Sequence, residues 1–198
     1  MTLSSLPPSA ATPNGDIASR LARLEAIEEI RALKAHYGAL ADAKYQSSGL
    51  PCEPAELDRI AGLQAACFTD DAVWAGGDGF GGDLTGRPAL HDWFRRMPWR
   101  FAMHCYTSES IRVDVDTNRA EAVWRLTQVA IRNDNGRAVW LGGVTREHYR
   151  REPTGDWRIA RMRFEQLHML ALAEDEARLA TNFQALDALS GNRSDARR

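Results

Sequence analysis

Ala120-Glu-Ala-Val-Trp-Arg-Leu-Thr-Gln-Val-Ala-Ile131 is written with a period of two, the repeat of a strand that buries one face and wets the other. The same period runs outward from it in both directions. Ile111, Val113 and Val115 alternate in the stretch that begins at Ser108, while Ala138 to Arg150 and Trp157 to His168 supply two further strands. Asp116-Thr-Asn118, Asn133-Asp-Asn-Gly136 and Pro153-Thr-Gly-Asp156 lie between them as turns. The middle one carries the Asn-Gly pair that suits a tight hairpin. Four strands joined by short polar turns predict an antiparallel meander.

Upstream the period changes to that of helices. From Asp16, a suitable N-cap, Leu21, Leu24, Ile27, Ile30, Leu33, Tyr37 and Leu40 recur at steps of three and four and predict a long amphipathic helix. Glu25, Glu28, Glu29, Arg31 and Lys34 are read as its solvated side, laced by local ion pairs. Gln46 to Pro54 reads as a loop, and Ala55 to Phe68 resumes helical spacing through Leu57, Ile60, Leu63 and Ala66. Ala72-Val-Trp74 predicts a short strand. Thr85-Gly-Arg-Pro88 opens a third helix through Phe94, with Pro88 where a first helical turn tolerates it. Between them, Gly76-Gly-Asp-Gly-Phe-Gly-Gly82 contains no GxxxxGK[ST] and sits in no βαβ unit, so it reads as a flexible turn with Phe80 available to cover a ligand. Helices first and strands later predict an α+β fold with the helices against one face of a strongly curved sheet.

Composition narrows the function classes. A chain of 198 residues, 44% hydrophobic, is long enough for one domain with a substantial core. Its net charge of −2 comes from interspersed acids and bases, which gives no field for nucleic acid or an anionic membrane. A small-molecule partner is the natural expectation. Cys52, Cys67 and Cys105 form no CxxC or Cys/His ligand spacing, and their odd number fits a reducing cytoplasm. His36, His91, His148 and His168 make no HExxH or His-x-His pattern, so no metal and no cofactor are expected. Thr107, Ser108 and Ser110 lie near His104 but in no GxSxG elbow, and Cys105 belongs on the opposite strand face from His104. Met1 to Gly15 reads as a disordered leader. Ala171 to Leu189 carries Leu179, Phe183, Leu186 and Leu189 at helical spacing before a charged tail, so the expected division is leader 1–15, domain 16–170, and an extra helix and tail at 171–198.

Four segments give the chain a resemblance: Ile27-Glu-Glu-Ile-Arg-Ala-Leu-Lys-Ala-His-Tyr37, Cys67-Phe-Thr-Asp-Asp-Ala-Val-Trp74, Gly86-Arg-Pro-Ala-Leu90 and Trp157-Arg-Ile-Ala-Arg161. With the order helix, helix, short strand, helix, four strands, they resemble the SnoaL-like and scytalone-dehydratase-like branch of the nuclear-transport-factor-like superfamily from about Leu21 to His168. That resemblance implies a cone in which curved sheet and helices enclose one deep cavity. Dehydratases, cyclases, isomerases, dehydrochlorinases and non-catalytic binding proteins share the cone, so fold alone does not settle function.

Bile-acid dehydratases and hexachlorocyclohexane dehydrochlorinase in that family carry an Asp late in the first helix and a His before the second strand. Asp42 and His104 match those positions, and Tyr37 falls where the dehydratase has a cavity tyrosine. Independently of the resemblance, an aspartate that accepts one ring N–H fixes the imidazole tautomer and frees the other nitrogen to take a proton. The strand residue matching the dehydratase's further acid is Gln128, which donates and accepts hydrogen bonds but cannot shuttle a proton.

Other candidates come from the residues alone. Arg161 shares one face with Trp157, Ile159, Arg163 and Glu165 if no bulge intervenes, which aims it at the cavity mouth. Trp99, Trp124 and Trp140 are candidate aromatic walls. The expected function is a cofactor-independent lyase on a bulky cyclic or aromatic molecule, losing water or, by retro-aldol cleavage, a small aldehyde such as formaldehyde from an aryl-propanoid. An isomerase or polyketide-type cyclase with the same base, and a non-catalytic binding protein, are the alternatives. On family grounds the chain is expected to form a homodimer or homotrimer.

Overall fold

A computed structural model describes residues 17–46, 50–76 and 82–172. Its elements run α1 (Ile17–Asp42), α2 (Pro54–Ala66), β1 (Phe68–Ala75), β2 (Asp83–Thr85), α3 (Arg87–Phe94), β3 (Trp99–Asp114), β4 (Arg119–Arg132), β5 (Ala138–Arg151) and β6 (Trp157–Ala171). The leader, Phe80 and almost all of the expected C-terminal helix and tail lie outside the described residues.

One six-stranded sheet has the order β2-β1-β6-β5-β4-β3. The meander β3 to β6 is antiparallel throughout, as the period of two predicts. The sheet as a whole is mixed, because β1 joins β6 in parallel, with Val73 opposite Arg161. β2, too short for a periodicity signal, pairs antiparallel with β1.

Alternation along β4 places Ala120, Ala122, Trp124, Leu126, Gln128 and Ala130 on the covered face. The helices close over that face. α1 packs mainly on β3, and α2 contacts α3 and β1. Gly86 holds the entry to α3 at φ +85°, a conformation that favours glycine, and Pro88 follows inside the first turn. Rings from α1, α3 and β1 pack together: Tyr37 meets Phe68 edge-on at 5.8 Å, and Phe94 lies 5.5 Å from Trp74.

Two sequence expectations are corrected here. Leu21 and Leu24 are exposed among the described residues, and the buried stripe of α1 is Ala26, Ile30, Lys34, Tyr37, Gly38, Leu40 and Ala41. Lys34 is therefore not on the solvated side. Its Nζ sits 2.5 Å from Glu147 Oε1, both side chains being closed to solvent. The Glu147 carboxylate also accepts hydrogen bonds from the Thr145 hydroxyl at 2.8 Å and from the Tyr149 hydroxyl, which in turn accepts the Trp124 Nε1–H at 3.0 Å. Such neutralisation and hydrogen bonding offset most of the cost of burying the two charges.

Candidate active site

The last two turns of α1 and the turn after it deliver Tyr37, Asp42, Lys44 and Tyr45 to one side of the cone. β3 delivers His104 from the facing wall. Its alternation turns Ala102, His104 and Tyr106 inward and Met103 and Cys105 outward. Opposite His104 in the β3–β4 register stands Gln128. A cavity of about 380 Å³ opens among these elements, and Tyr37, Lys44, Trp99, His104 and Gln128 line it. That volume accommodates a bicyclic molecule.

Asp42 and His104, sixty-two positions apart in the chain, meet directly. Asp42 Oδ1 lies 2.7 Å from His104 Nδ1 and accepts the His104 backbone N–H at 2.9 Å. An ionised carboxylate only accepts, so Nδ1 carries the hydrogen and Nε2 is the basic nitrogen of the neutral ring. The two contacts fix both the carboxylate and the imidazole against one strand.

Tyr37 is buried beneath them. Burial, aided by the charge of Glu147, pushes its phenol well above the ordinary range, so it stays protonated and acts as a hydrogen-bond donor. Tyr106, beside it at 6.0 Å between ring centroids, is pushed up for the same first reason. The Lys34 ammonium lies 3.6 Å from the Tyr106 ring centroid and 4.6 Å from that of Tyr37, a cation held under both rings. Gln128 is buried, and its Nε2 has no hydrogen-bond partner among the described residues. A buried amide left without an acceptor is a donor waiting for one.

The remaining predicted residues divide. Trp99 lines the cavity. Trp124 does not: it is core, spent on the Tyr149 hydroxyl. Trp140 is half exposed on the outer sheet face, between the buried Val139 and Leu141. Arg161 is also exposed and away from the cavity. The register of β5 with β6 shifts after Ile159, so that Tyr149 pairs with Ile159 but His148 with Arg161. This bulge flips the alternation: Met162 and Phe164 turn inward in place of Arg161 and Arg163.

Sequence reasoning missed Lys34, Lys44 and Gln64. Of 25 basic residues in the chain only two are lysine, at 34 and 44. Both prove to be buried. That compositional contrast was the available signal. Lys44 donates to the Phe94 carbonyl at 3.1 Å, and burial pushes its pKa down to about 8, against the pull of Asp42. Gln64 reaches the cavity from α2. Among the described residues no cluster of His, Cys, Asp and Glu suits a metal ion, and no helix is long and apolar enough to cross a membrane.

The fold finds counterparts among solved structures. Hexachlorocyclohexane dehydrochlorinase LinA-type3 from Novosphingobium barchaimii LL02 superposes with a TM-score of 0.65 at 16% identity, covering 81% of this chain and 99% of its own. A protein provisionally assigned as a scytalone dehydratase, from Novosphingobium aromaticivorans DSM 12444, gives 0.58 at 17%, covering 80% and 93%. A single-substitution variant of Rv3472 from Mycobacterium tuberculosis, a protein of unknown function, gives 0.55 at 21%, covering 85% and 83%. These likenesses are of fold. No curated protein matches the chain by sequence. The model of the SnoaL-like domain, in contrast, matches residues 57–163, more than half of the chain. With three helices laid on a curved, unclosed sheet, the chain belongs to the SnoaL-like domain family of the nuclear-transport-factor-like superfamily.

Proposed function

We propose that this protein is a cofactor-independent lyase in which His104 Nε2 is the general base. One observation carries the reading: His104 is held at Nδ1 by Asp42 at 2.7 Å while its ring lines a ligand-sized cavity. The dehydrochlorinase and dehydratase assignments of proteins with this fold lend it support. A base so placed contributes on the order of a hundred- to ten-thousandfold in rate.

The chain's own residues suffice for an elimination. His104 takes a proton from the substrate, and Asp42 stabilises the imidazolium that results. Tyr37, kept neutral by burial, donates to the departing or developing oxygen. Gln128, beside His104 on β4, offers its unpartnered amide N–H to a substrate hydroxyl or carbonyl. Aromatic walls from Trp93, Trp99 and Tyr45 suit a flat ring system. Abstraction from carbon expels water. Abstraction from the terminal hydroxyl of an aryl-propane-1,3-diol breaks the adjacent C–C bond and releases formaldehyde, while the electron pair of that bond forms the new C=C and expels the benzylic hydroxyl, which takes up a proton and leaves as water.

Incubation with a panel of aryl diols and hydroxylated rings, read by mass spectrometry, tests the reading. Loss of water or of a one-carbon aldehyde is expected with the wild type and is expected to vanish in His104→Ala. Turnover that persisted in a folded His104→Ala variant would remove the base from the mechanism.

A further inference from the structure

Lys44 and Lys34 make an internal comparison. Both are buried lysines on α1 or just after it, in a chain that otherwise uses arginine for its cations. Lys34 has a carboxylate, Glu147, against its ammonium. Lys44 has none: among the described residues its ammonium makes one hydrogen bond, to the Phe94 carbonyl, and lies 5.5 Å from the Phe94 ring centroid. An ammonium has three donors. The nearby Asp42 carboxylate is engaged by His104 and forms no ion pair with Lys44.

The charge of the cavity wall points the same way. Lys44 and Arg96 line it, and no Asp or Glu does so among the described residues. The Arg96 guanidinium lies 5.1 Å from the centroid of the Trp93 ring, another lining residue, so the second cation borders an aromatic wall.

We propose that Lys44 is the receptor for an anionic oxygen of the substrate, so that the cavity takes an aromatic acid or phenolate rather than a neutral ring. This rests on the reading of the cavity as the site of a small-molecule enzyme, and it names the substrate class of that site. The anion supplies the missing counterion of Lys44, as Glu147 does for Lys34. Its ring then lies along Trp93 and Trp99, within reach of His104 on the facing wall.

Lysine-selective ¹⁵N labelling of the full chain provides the test, because the whole side-chain ammonium spectrum then consists of two signals. At neutral pH the protein is titrated with 2-naphthoate against 2-naphthamide, and with 4-nitrophenolate against 4-nitroanisole. The anion of at least one pair is expected to bind about tenfold or more tightly than its neutral partner and to move the Lys44 signal while leaving that of Lys34. The pair that shows this tells carboxylate from phenolate. Lys44→Met should level the affinities and Lys44→Arg should restore the preference. Equal affinities in both pairs, no measurable binding of either anion, or a preference that survives Lys44→Met overturns the assignment. If the lysine variants do not fold, an unmoved Lys44 signal in the wild type overturns it equally. His104→Ala separates the two readings: its ligand preference reports on Lys44 and its turnover reports on the base.

Discussion

Lys34 Nζ and Glu147 Oε1 lie 2.5 Å apart, one on the first helix and the other on the penultimate strand, in a region closed to water. The pair ties the helix that carries Asp42 to the sheet that carries His104. Removing one partner leaves the other as an uncompensated buried charge. Lys34→Met is therefore expected to lose about 3–5 kcal/mol in urea denaturation. In Lys34→Met/Glu147→Leu the orphaned charge is gone and only the Thr145 and Tyr149 hydroxyls lose an acceptor, so the double variant should be the more stable of the two. A double variant less stable than Lys34→Met would show that the two charges do not act as a unit.

Asp42→Asn isolates the charge from the geometry. The asparagine carbonyl oxygen can accept both the Nδ1–H and the backbone N–H of His104 that Asp42 Oδ1 accepts now. The ring should keep its place while the imidazolium formed during turnover loses its counter-charge. We expect kcat to fall on the order of a hundredfold or more, with thermal stability nearly unchanged. Unaltered kcat would show that the carboxylate only positions the ring.

Tyr37→Phe removes a donor but keeps the ring against Phe68 and Phe94, at 5.8 and 6.1 Å. Stability should change by no more than about 1.5 kcal/mol, whereas kcat should drop by about ten- to a hundredfold if the phenol assists the leaving oxygen. Because burial holds the Tyr37 phenol above its ordinary range, the alkaline limb of the rate profile should be the same in wild type and variant. A limb that disappeared with the hydroxyl would assign Tyr37 a proton-transfer role.

Lys44 makes stability depend on pH in a definite direction. Its folded pKa, about 8, lies below the 10.5 of an ordinary lysine, so between those values the unfolded chain binds the extra proton. Stability from this group therefore rises with pH across that window, by on the order of 3 kcal/mol. Asp42 is the charge that acts on it, and Tyr37, Tyr45, Arg96, His104 and Tyr106 are the other titratable groups that line the cavity. Lys44→Met should be more stable than wild type at pH 7, with the gap closing as pH approaches 10.5. Parallel denaturation curves at all pH values would contradict this. If the ligand assignment holds, the same substitution gains stability and loses recognition of the anion.

Periodicity made most of this architecture legible in advance. The three- and four-residue steps through Ile30, Tyr37 and Leu40 mark α1, and the alternations between Ser108 and His168 mark β4, β5, β6 and the second half of β3, whose first half, from Trp99 to Thr107, is set off by a register shift before Ser110. Asp42 and His104 were legible as a pair only through the resemblance, since nothing in their spacing brings them together without the fold. Other residues failed for local reasons. Strict alternation aims Arg161 inward; the bulge after Ile159 that turns it out is set by pairing with β5 and leaves no mark in the β6 sequence. Trp140 was separable by parity, since its neighbours Val139 and Leu141 are the residues that point inward. The charge of Lys34 points to the solvated side, whereas its position four residues after Ile30 puts it on the buried stripe. Composition and pattern disagreed there, and the carboxylate of Glu147, more than a hundred residues away, decided for the pattern.

The placement of both lysines inside the fold has a practical consequence for handling the protein. A protease that cuts only after lysine has two sites in the whole chain, and the native structure hides both. One that cuts after arginine meets side chains already at the surface, such as Arg119 beside the turn that opens β4. Lysine-specific digestion therefore proceeds only through opening of the cone around α1, and its rate becomes a clock for that motion. A ligand seated against Lys44 should slow the clock, so that protection from cleavage reports occupancy even for a molecule whose chemistry is silent in every assay of turnover.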